Sequence, residues 1–550
     1  MHVVLRFARP IVLASALAFT GATAAQAAPP PDNSTWTQES IKESDGTTLH
    51  ADVLRPKSLP DDARTPVILS IGPYFNHSGQ TGVSGPVEDT PYNPVTADGP
   101  SDRFYDFING AKILDRGYTW VQVDLRGFGG SDGCLDWAGP GEQADVKAAV
   151  EWAAAQKWST GKVGMYGKSY DAVTGLIGIV QQPAGLSAVV AQEPVYDLYR
   201  YLYMNRTRYL NSIATPALYD GIAGTPGPFD DQLAYNLASI NDTARPGCPV
   251  LNYADQQNSD HGADYWKPRN LITGLRGKRT PLFMTQGLLE NNTKPDGAAD
   301  AFNAVAGPKR AWIGMWDHVR GNQDTNGRLN MGRKGWFDEV MRFYDLHLKG
   351  QSSSVQDPRI AVETNDGKWR PETNWPPRDA FDATATLKPG SYSDDGQNNG
   401  SGDGGTPPYG LGAWTFSPAF DHEVRLSGTP RVTVNTDGQA NDNLYVDVYD
   451  VGPDNNATLF SRGAYLLQGP GPVSFDLYDQ DWVFAPGHRI GVLVTGAQAD
   501  WWTQPPTGNT INVKSASLTL PYLGCARPST IEGGPSIRLE DYMKNAPFAV

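Results

Sequence analysis

Ser169 stands in the run GMYGKSYDA, Gly164 to Ala172, and its neighbours allow two chemistries. Gly-Lys-Ser ends a phosphate-binding loop, whereas Gly-x-Ser is the centre of a strand-to-helix turn that presents a nucleophilic serine. The phosphate loop needs a glycine five places before Gly167. That place is Lys162, and Gly161 comes one too early. The serine turn needs a strand, a sharp bend and a helix, and VGMYGKSYDAVTGL supplies them in that order. Gly167 bends the backbone without steric cost. Asp171 occupies the place two after the serine, where a second glycine is usual.

A lone serine is a poor nucleophile and needs a base, and the base needs an orienting acid. In a serine-turn fold the order is serine, acid, histidine, with the last two on loops after later strands. The chain has eight histidines, and His318 directly follows the apolar run AWIGMW. Glu290 follows TPLFMTQG in the same way, with Asp296 and Asp317 as rival acids. Histidines at HExxH spacing and cysteines in CxxC pairs are both missing from the sequence. These absences argue against a zinc site, and nothing in the sequence implies another metal or an organic cofactor.

These residues need a framework. Thr48 to Pro56, Thr65 to Tyr74, Tyr118 to Asp124, Lys162 to Ser169, Leu186 to Pro194, Thr280 to Gly287 and Lys309 to His318 read as strands, most of them continuous apolar runs. Glu142 to Trp158 and Trp336 to Gly350 read as helices. Buried strands alternating with helices predict a parallel sheet covered on both faces. Roughly 85 residues separate Pro194 from Thr280, too many for a simple crossover. They include helix-like runs at Asp197 to Leu210 and Asp230 to Asp242, and predict a helical cap at about 195–279.

Beyond residue 355 the pattern changes to short alternating strands such as RVTVNTD and LYVDVYDV, separated by Gly, Pro, Asn and Asp. This predicts a β-sandwich of jelly-roll type. Ser393 to Pro408 is a low-complexity loop within it. The expected organisation is an export signal at 1–27, an α/β catalytic domain at 28–355 and a sandwich at 356–550.

Hydrophobic residues make up 39% and charged residues 19%, enough apolar content for a large core. The net charge of -15 argues against nucleic acid or an anionic membrane as partner. The first residues carry Arg6 and Arg9, a short apolar run Ile11 to Phe19, and Ala25-Gln26-Ala27 as a cleavage site. Those are the parts of a secretory signal, and the chain is expected to be exported. Cys134, Cys248 and Cys525 allow at most one internal disulfide. Oligomeric state is not legible.

With these residues in view, the chain resembles the X-prolyl dipeptidyl-peptidase, cocaine esterase and α-amino-acid ester hydrolase group of α/β-hydrolase serine enzymes. Gly72-Pro73-Tyr74 is similar to the group's oxyanion tyrosine segment, and DLRGFGGSDG (Asp124 to Gly133) to its D-x-R-G-x-G-x-S-x-G signature. GKSYDA resembles its serine turn, and GMWDH its base segment. QGLLENNTKP resembles its acid segment, with Gln286 for a histidine and Glu290 for an aspartate. WRPETNWPP (Trp369 to Pro377) resembles the joint into its jelly roll.

The resemblance implies that Ser169 attacks an acyl carbon, His318 moves the proton and Glu290 holds the imidazole. It implies that the Tyr74 hydroxyl and the Tyr170 backbone N–H bind the oxyanion. Asp124 and Arg126 are read as holding the Gly-rich turn. A free α-ammonium on the substrate needs a carboxylate near the nucleophile. Asp171 is the first candidate, with Glu193 and Asp197 behind it. Tyr196, Tyr199, Tyr201 and Tyr203 either line the acyl pocket or form cap core.

The expected substrate is a peptide, cleaved to release N-terminal X-Pro dipeptides. The alternative is a small acyl ester or α-amino-acid ester. A protein acting only as a carbohydrate binder is disfavoured by the intact Ser169, His318 and Tyr74.

Overall fold

The first half of the chain is built on a ten-stranded sheet that brings the ends of its central strands to one edge. The structure is a computed structural model, and it describes residues 29–78, 99–241, 247–396, 412–498 and 500–550. The export signal read at 1–27, and the low-complexity run from residue 397, lie outside the described residues.

The strands are β1 (Ser34–Lys42), β2 (Thr48–Pro56), β3 (Thr65–Gly72), β4 (Thr119–Asp124), β5 (Ser159–Lys168) and β6 (Leu186–Gln192). β7 (Leu282–Gly287), β8 (Lys309–Gly314), β9 (Ile360–Glu363) and β10 (Trp369–Glu372) complete the sheet. Their spatial order is 1-2-4-3-5-6-7-8-9-10. β3 and β4 are buried along their whole length, as a strand covered on both faces must be.

Three features depart from the sequence reading. The sheet is mixed, because β1, β2 and β10 pair antiparallel with their neighbours. β1 lies ahead of the first strand expected from the sequence, since its mostly exposed, polar residues carry no apolar run. β9 and β10 lie beyond residue 355, so the first sheet takes its last two strands from the segment assigned to the sandwich.

Helices α1 (Tyr105–Gly110), α2 (Pro140–Ala155) and α3 (Tyr170–Gln181) pack beside the central strands. Between β6 and β7 lie α4 (Leu198–Leu202), α5 (Asn211–Ala223), α6 (Leu233–Ser239) and α7 (Gly247–Gln256). Asp197 to Leu210 is not one helix. After α4 it turns into a hairpin of Tyr203–Met204 with Thr207–Arg208, because Asn205 and Arg206 sit at φ 47° and 71°, outside the helical region. A disulfide between Cys134 and Cys248 ties α7 to the loop after the Gly-rich turn, and Cys525 is an exposed free thiol.

The second half is a sandwich of a seven-stranded and a five-stranded antiparallel sheet. The main apolar core runs on from β3 and β5 into Leu426, Val432 and Val446 of the sandwich. At the junction the buried Arg370 of β10 donates to Asp481 at 2.7 Å. This pairs two charges that burial would otherwise strongly penalise. Within the described residues no helix is long and apolar enough to cross a membrane.

Candidate active site

β5 ends at Lys168 and α3 begins at Tyr170, which leaves Ser169 alone at the bend with φ 64° and ψ -127°. A non-glycine residue at such angles is strained, and the surrounding packing holds it there. Gly167 is obligatory, because a Cβ there would lie 2.1 Å from the Asp171 carbonyl oxygen. Asp171 finds room through Gly72, where a Cβ would collide with its carboxylate.

His318 follows β8 and Glu290 follows β7, and the parallel pairing of the two strands brings them together. Glu290 Oε2 lies 2.7 Å from His318 Nδ1. A carboxylate only accepts, so Nδ1 carries the proton and Nε2 is left as the basic nitrogen. Glu290 Oε1 accepts from the backbone N–H groups of Asn292 (2.9 Å) and Thr293 (3.1 Å).

The rival acids are engaged elsewhere. Asp296 accepts from Arg200 at 3.0 Å, and Asp317 Oδ1 accepts the His318 backbone N–H at 2.8 Å. Burial works against charge on Glu290, but His318 and Lys168 outweigh it and hold the carboxyl below its ordinary range. Burial also lowers His318 below an ordinary imidazole, and Lys168 and Arg103 push in the same direction. Lys168, beside the serine, is itself lowered to about 7 by burial.

Tyr74 is 5% exposed, and its hydroxyl is hydrogen-bonded to that of Tyr219 from α5. Burial pushes Tyr74 up to about 12, so it stays a proton donor at neutral pH. The backbone N–H of Tyr170 belongs to the first turn of α3, whose leading donors have no intrahelical acceptor. Arg103 lies with its guanidinium carbon 3.9 Å from the centre of the Tyr74 ring.

Ser169 opens into a pocket lined by Trp137, Val173, Val195, Leu198, Tyr201 and Tyr219. In this structure it is narrow, with room for about one water, so a bound acyl group must displace lining side chains. Arg269 also touches the pocket, but its guanidinium is bound to Trp137 O, Tyr265 O and the Asp136 carboxylate.

The three carboxylates assigned to an ammonium are not in this lining. Asp171 is buried and accepts from Arg103 Nε at 2.6 Å. Glu193 is buried and accepts from Thr285, Gly287 and Trp316, so it ties together the loops that carry Glu290 and His318. Asp197 caps α4 through Tyr199 N and pairs with His261 at 2.8 Å. Each carboxylate satisfies a donor that burial would otherwise leave stranded, and this decides its position.

Of the four cap tyrosines, Tyr201 reaches the pocket. Tyr196 bonds Gln286, Tyr203 bonds Gln256 O, and Tyr199 stacks on Tyr203 and His261. Asp124 and Arg126 hold the Gly-rich turn, through Gly130 N and Asp145 respectively.

Sequence reasoning missed Arg103, Tyr219 and Glu363. Glu363 accepts from Met315 N and Ser536 N, which anchors the strand end before His318. No motif marks any of the three. Pro216 within α5 also obscured the helix that carries Tyr219.

His50, Asp52 and His77 offer ligand atoms within 4.8 Å of one another and are of types that could hold a metal ion. Their nitrogens already face protein groups: His50 meets Asp124 and Gln38, and His77 meets Asp52 and Asp231. Burial opposes charge on His77, but the two aspartates outweigh it and push it up to about 10. His77 is thus a buried cation, paired on both sides.

Residues 45–320 match the model for X-Pro dipeptidyl-peptidase (S15 family), and 353–532 match the C-terminal non-catalytic domain of X-Pro dipeptidyl-peptidase. A Streptomyces avermitilis protein named "Putative Xaa-Pro dipeptidyl-peptidase" is 24% identical, over 89% of this chain and 82% of its own length. The cocaine esterase of a Rhodococcus species is 26% identical over 53% of this chain and 56% of its own. A solved α-amino acid ester hydrolase superposes with a TM-score of 0.67 at 16% identity, covering 94% of this chain and all of that one. The fold is the α/β-hydrolase type with an all-β C-terminal domain.

Proposed function

The chain belongs to the X-Pro dipeptidyl-peptidase (S15) family and is a serine hydrolase. From that premise we propose that it cleaves acyl bonds with Ser169, His318 and Glu290 and releases N-terminal X-Pro dipeptides. The observation that carries this reading is the strained Ser169 opening into a compact pocket of aromatic and aliphatic side chains. A proline ring is apolar and brings no N–H into such a wall.

Ser169 Oγ bonds to the acyl carbon while its proton passes to His318 Nε2. The carbonyl oxygen becomes an anion, received by the Tyr74 hydroxyl and the Tyr170 N–H, each donor worth about 3 kcal/mol. His318 then gives the proton to the leaving amine, and a water repeats the sequence to free the acyl group.

One observation favours a second reading, hydrolysis of small acyl esters: Asp171, Glu193 and Asp197 are all bound to partners within the fold. Three chromogenic substrates separate the two: Ala-Pro-anilide, the same compound N-acetylated, and a simple acyl ester. The dipeptide reading expects fast cleavage of free Ala-Pro-anilide, lost on acetylation. Cleavage of the ester alone moves the enzyme to the ester branch. We also propose that the protein is exported, which the N-terminal signal and the Cys134–Cys248 disulfide support.

The pH profile tests the assignment of the base. Activity requires neutral His318, so kcat/KM should rise with pH and level off, with its midpoint below the ordinary imidazole value. Lys168→Met removes a nearby positive charge that disfavours imidazolium. The midpoint should therefore move to higher pH. An unmoved midpoint would remove Lys168 from this role.

A further inference from the structure

The segment Tyr74 to His77 is hydrogen-bonded to the cap along its length. The Tyr74 hydroxyl meets that of Tyr219, and Asn76 Nδ2 donates to Thr225 O at 2.8 Å. The His77 N–H donates to the Tyr235 hydroxyl at 2.9 Å, and His77 Nδ1 pairs with Asp231 at 2.7 Å. All four partners lie on α5, on α6 or on the stretch between them.

We propose that Tyr219 is a positioning residue for the oxyanion: its hydroxyl donates to the Tyr74 oxygen and leaves the one proton of Tyr74 for the substrate's carbonyl oxygen. The inference rests on the reading of Tyr74 as oxyanion donor. A phenol owns one proton and offers lone pairs as acceptors. If Tyr74 donated to Tyr219, its proton would point away from the reacting carbon. The opposite direction frees that proton, and a hydroxyl that accepts a hydrogen bond becomes the stronger donor.

The surroundings favour this direction. The Arg103 guanidinium lies against the Tyr74 ring, where a cation stabilises negative charge growing on the Tyr74 oxygen. The Tyr219 ring is set by Trp137 and Tyr170, at 4.9 Å and 5.3 Å between centroids. The position of its oxygen is therefore fixed. The cap does more than cover the pocket: the oxyanion site is complete only while α5 is docked.

The test is a cycle of Tyr74→Phe, Tyr219→Phe and the double variant, with each fold checked by circular dichroism. Tyr74→Phe should lower kcat about 100-fold. Tyr219→Phe keeps its ring and should lower kcat about tenfold with little change in KM. The double variant should be no worse than Tyr74→Phe alone, because Tyr219 acts through Tyr74.

A peptide boronic acid gives a second readout, since its boron takes an electron pair from Ser169 Oγ to form a tetrahedral anion. Its affinity should fall in Tyr219→Phe by about the factor lost in kcat. Additive losses, or an effect confined to KM, would make Tyr219 a pocket wall and overturn the proposal. An unimpaired Tyr219→Phe beside a crippled Tyr74→Phe would overturn the proposal alone. An unimpaired Tyr74→Phe would overturn the oxyanion reading and the proposal together.

Discussion

Ser169→Ala is expected to lower kcat by about a millionfold while the protein remains folded. In a serine enzyme the nucleophile, base and acid act as one unit, so removing the attacking atom removes nearly the whole benefit of the other two. What survives comes from the oxyanion donors and substrate positioning. The backbone supplies a second, independent check. Ser169 sits at φ 64°, and the alanine variant keeps that strain. Ser169→Gly relieves it, because glycine tolerates positive φ. Such strain costs about 1–3 kcal/mol, and the gain is partly offset by the extra freedom glycine has when unfolded. The glycine variant should therefore be equally inactive but more stable than wild type by about 1 kcal/mol. Residual activity above a thousandth in Ser169→Ala would move the nucleophile elsewhere in the chain.

Glu290→Gln should cost about 10⁴-fold in kcat, far more than the loss of one charge suggests. The reason lies on the far side of the carboxyl group. Oε1 of Glu290 already accepts two backbone N–H groups, from Asn292 and Thr293. In the glutamine variant the carbonyl oxygen must stay with those donors, which turns the amide NH₂ toward His318 Nδ1. Nδ1 can then only accept, so the imidazole proton moves to Nε2, the nitrogen that must receive the serine's proton. Glu290→Asp keeps the charge on a shorter arm and should lose far less. A glutamine variant within tenfold of wild type would show that Glu290 does not set the tautomer.

Much of the candidate site is legible in the sequence. Ser169 followed from a strand, a glycine and a helix in order, and His318 from a scarce residue type placed at a strand end. Glu290 was harder to choose, because Asp296 and Asp317 lay just as close in sequence. The choice fell to the loop after β7, which aims Glu290 at the imidazole, while Asp317 turns back on its own backbone. The carboxylates read as ammonium partners have surroundings that sequence does not show. Asp171, Glu193 and Asp197 are near the nucleophile or the cap in sequence, but each answers a donor brought by a distant segment, such as Arg103 for Asp171.

By itself, then, the sequence determined the two-part architecture, the order of the chemical groups and the ends of the strands that carry them. Those are local properties, set by apolar runs, turn glycines and the spacing between them. Only the tertiary structure decided which acid reaches the imidazole and which tyrosine of the cap meets Tyr74. It also decided how the sheet takes its last strands from beyond residue 355. These depend on side chains that meet across separations such as the 145 positions between Tyr74 and Tyr219. No local pattern encodes such pairings, because they are chosen by packing and by the demand that every buried polar group find a partner.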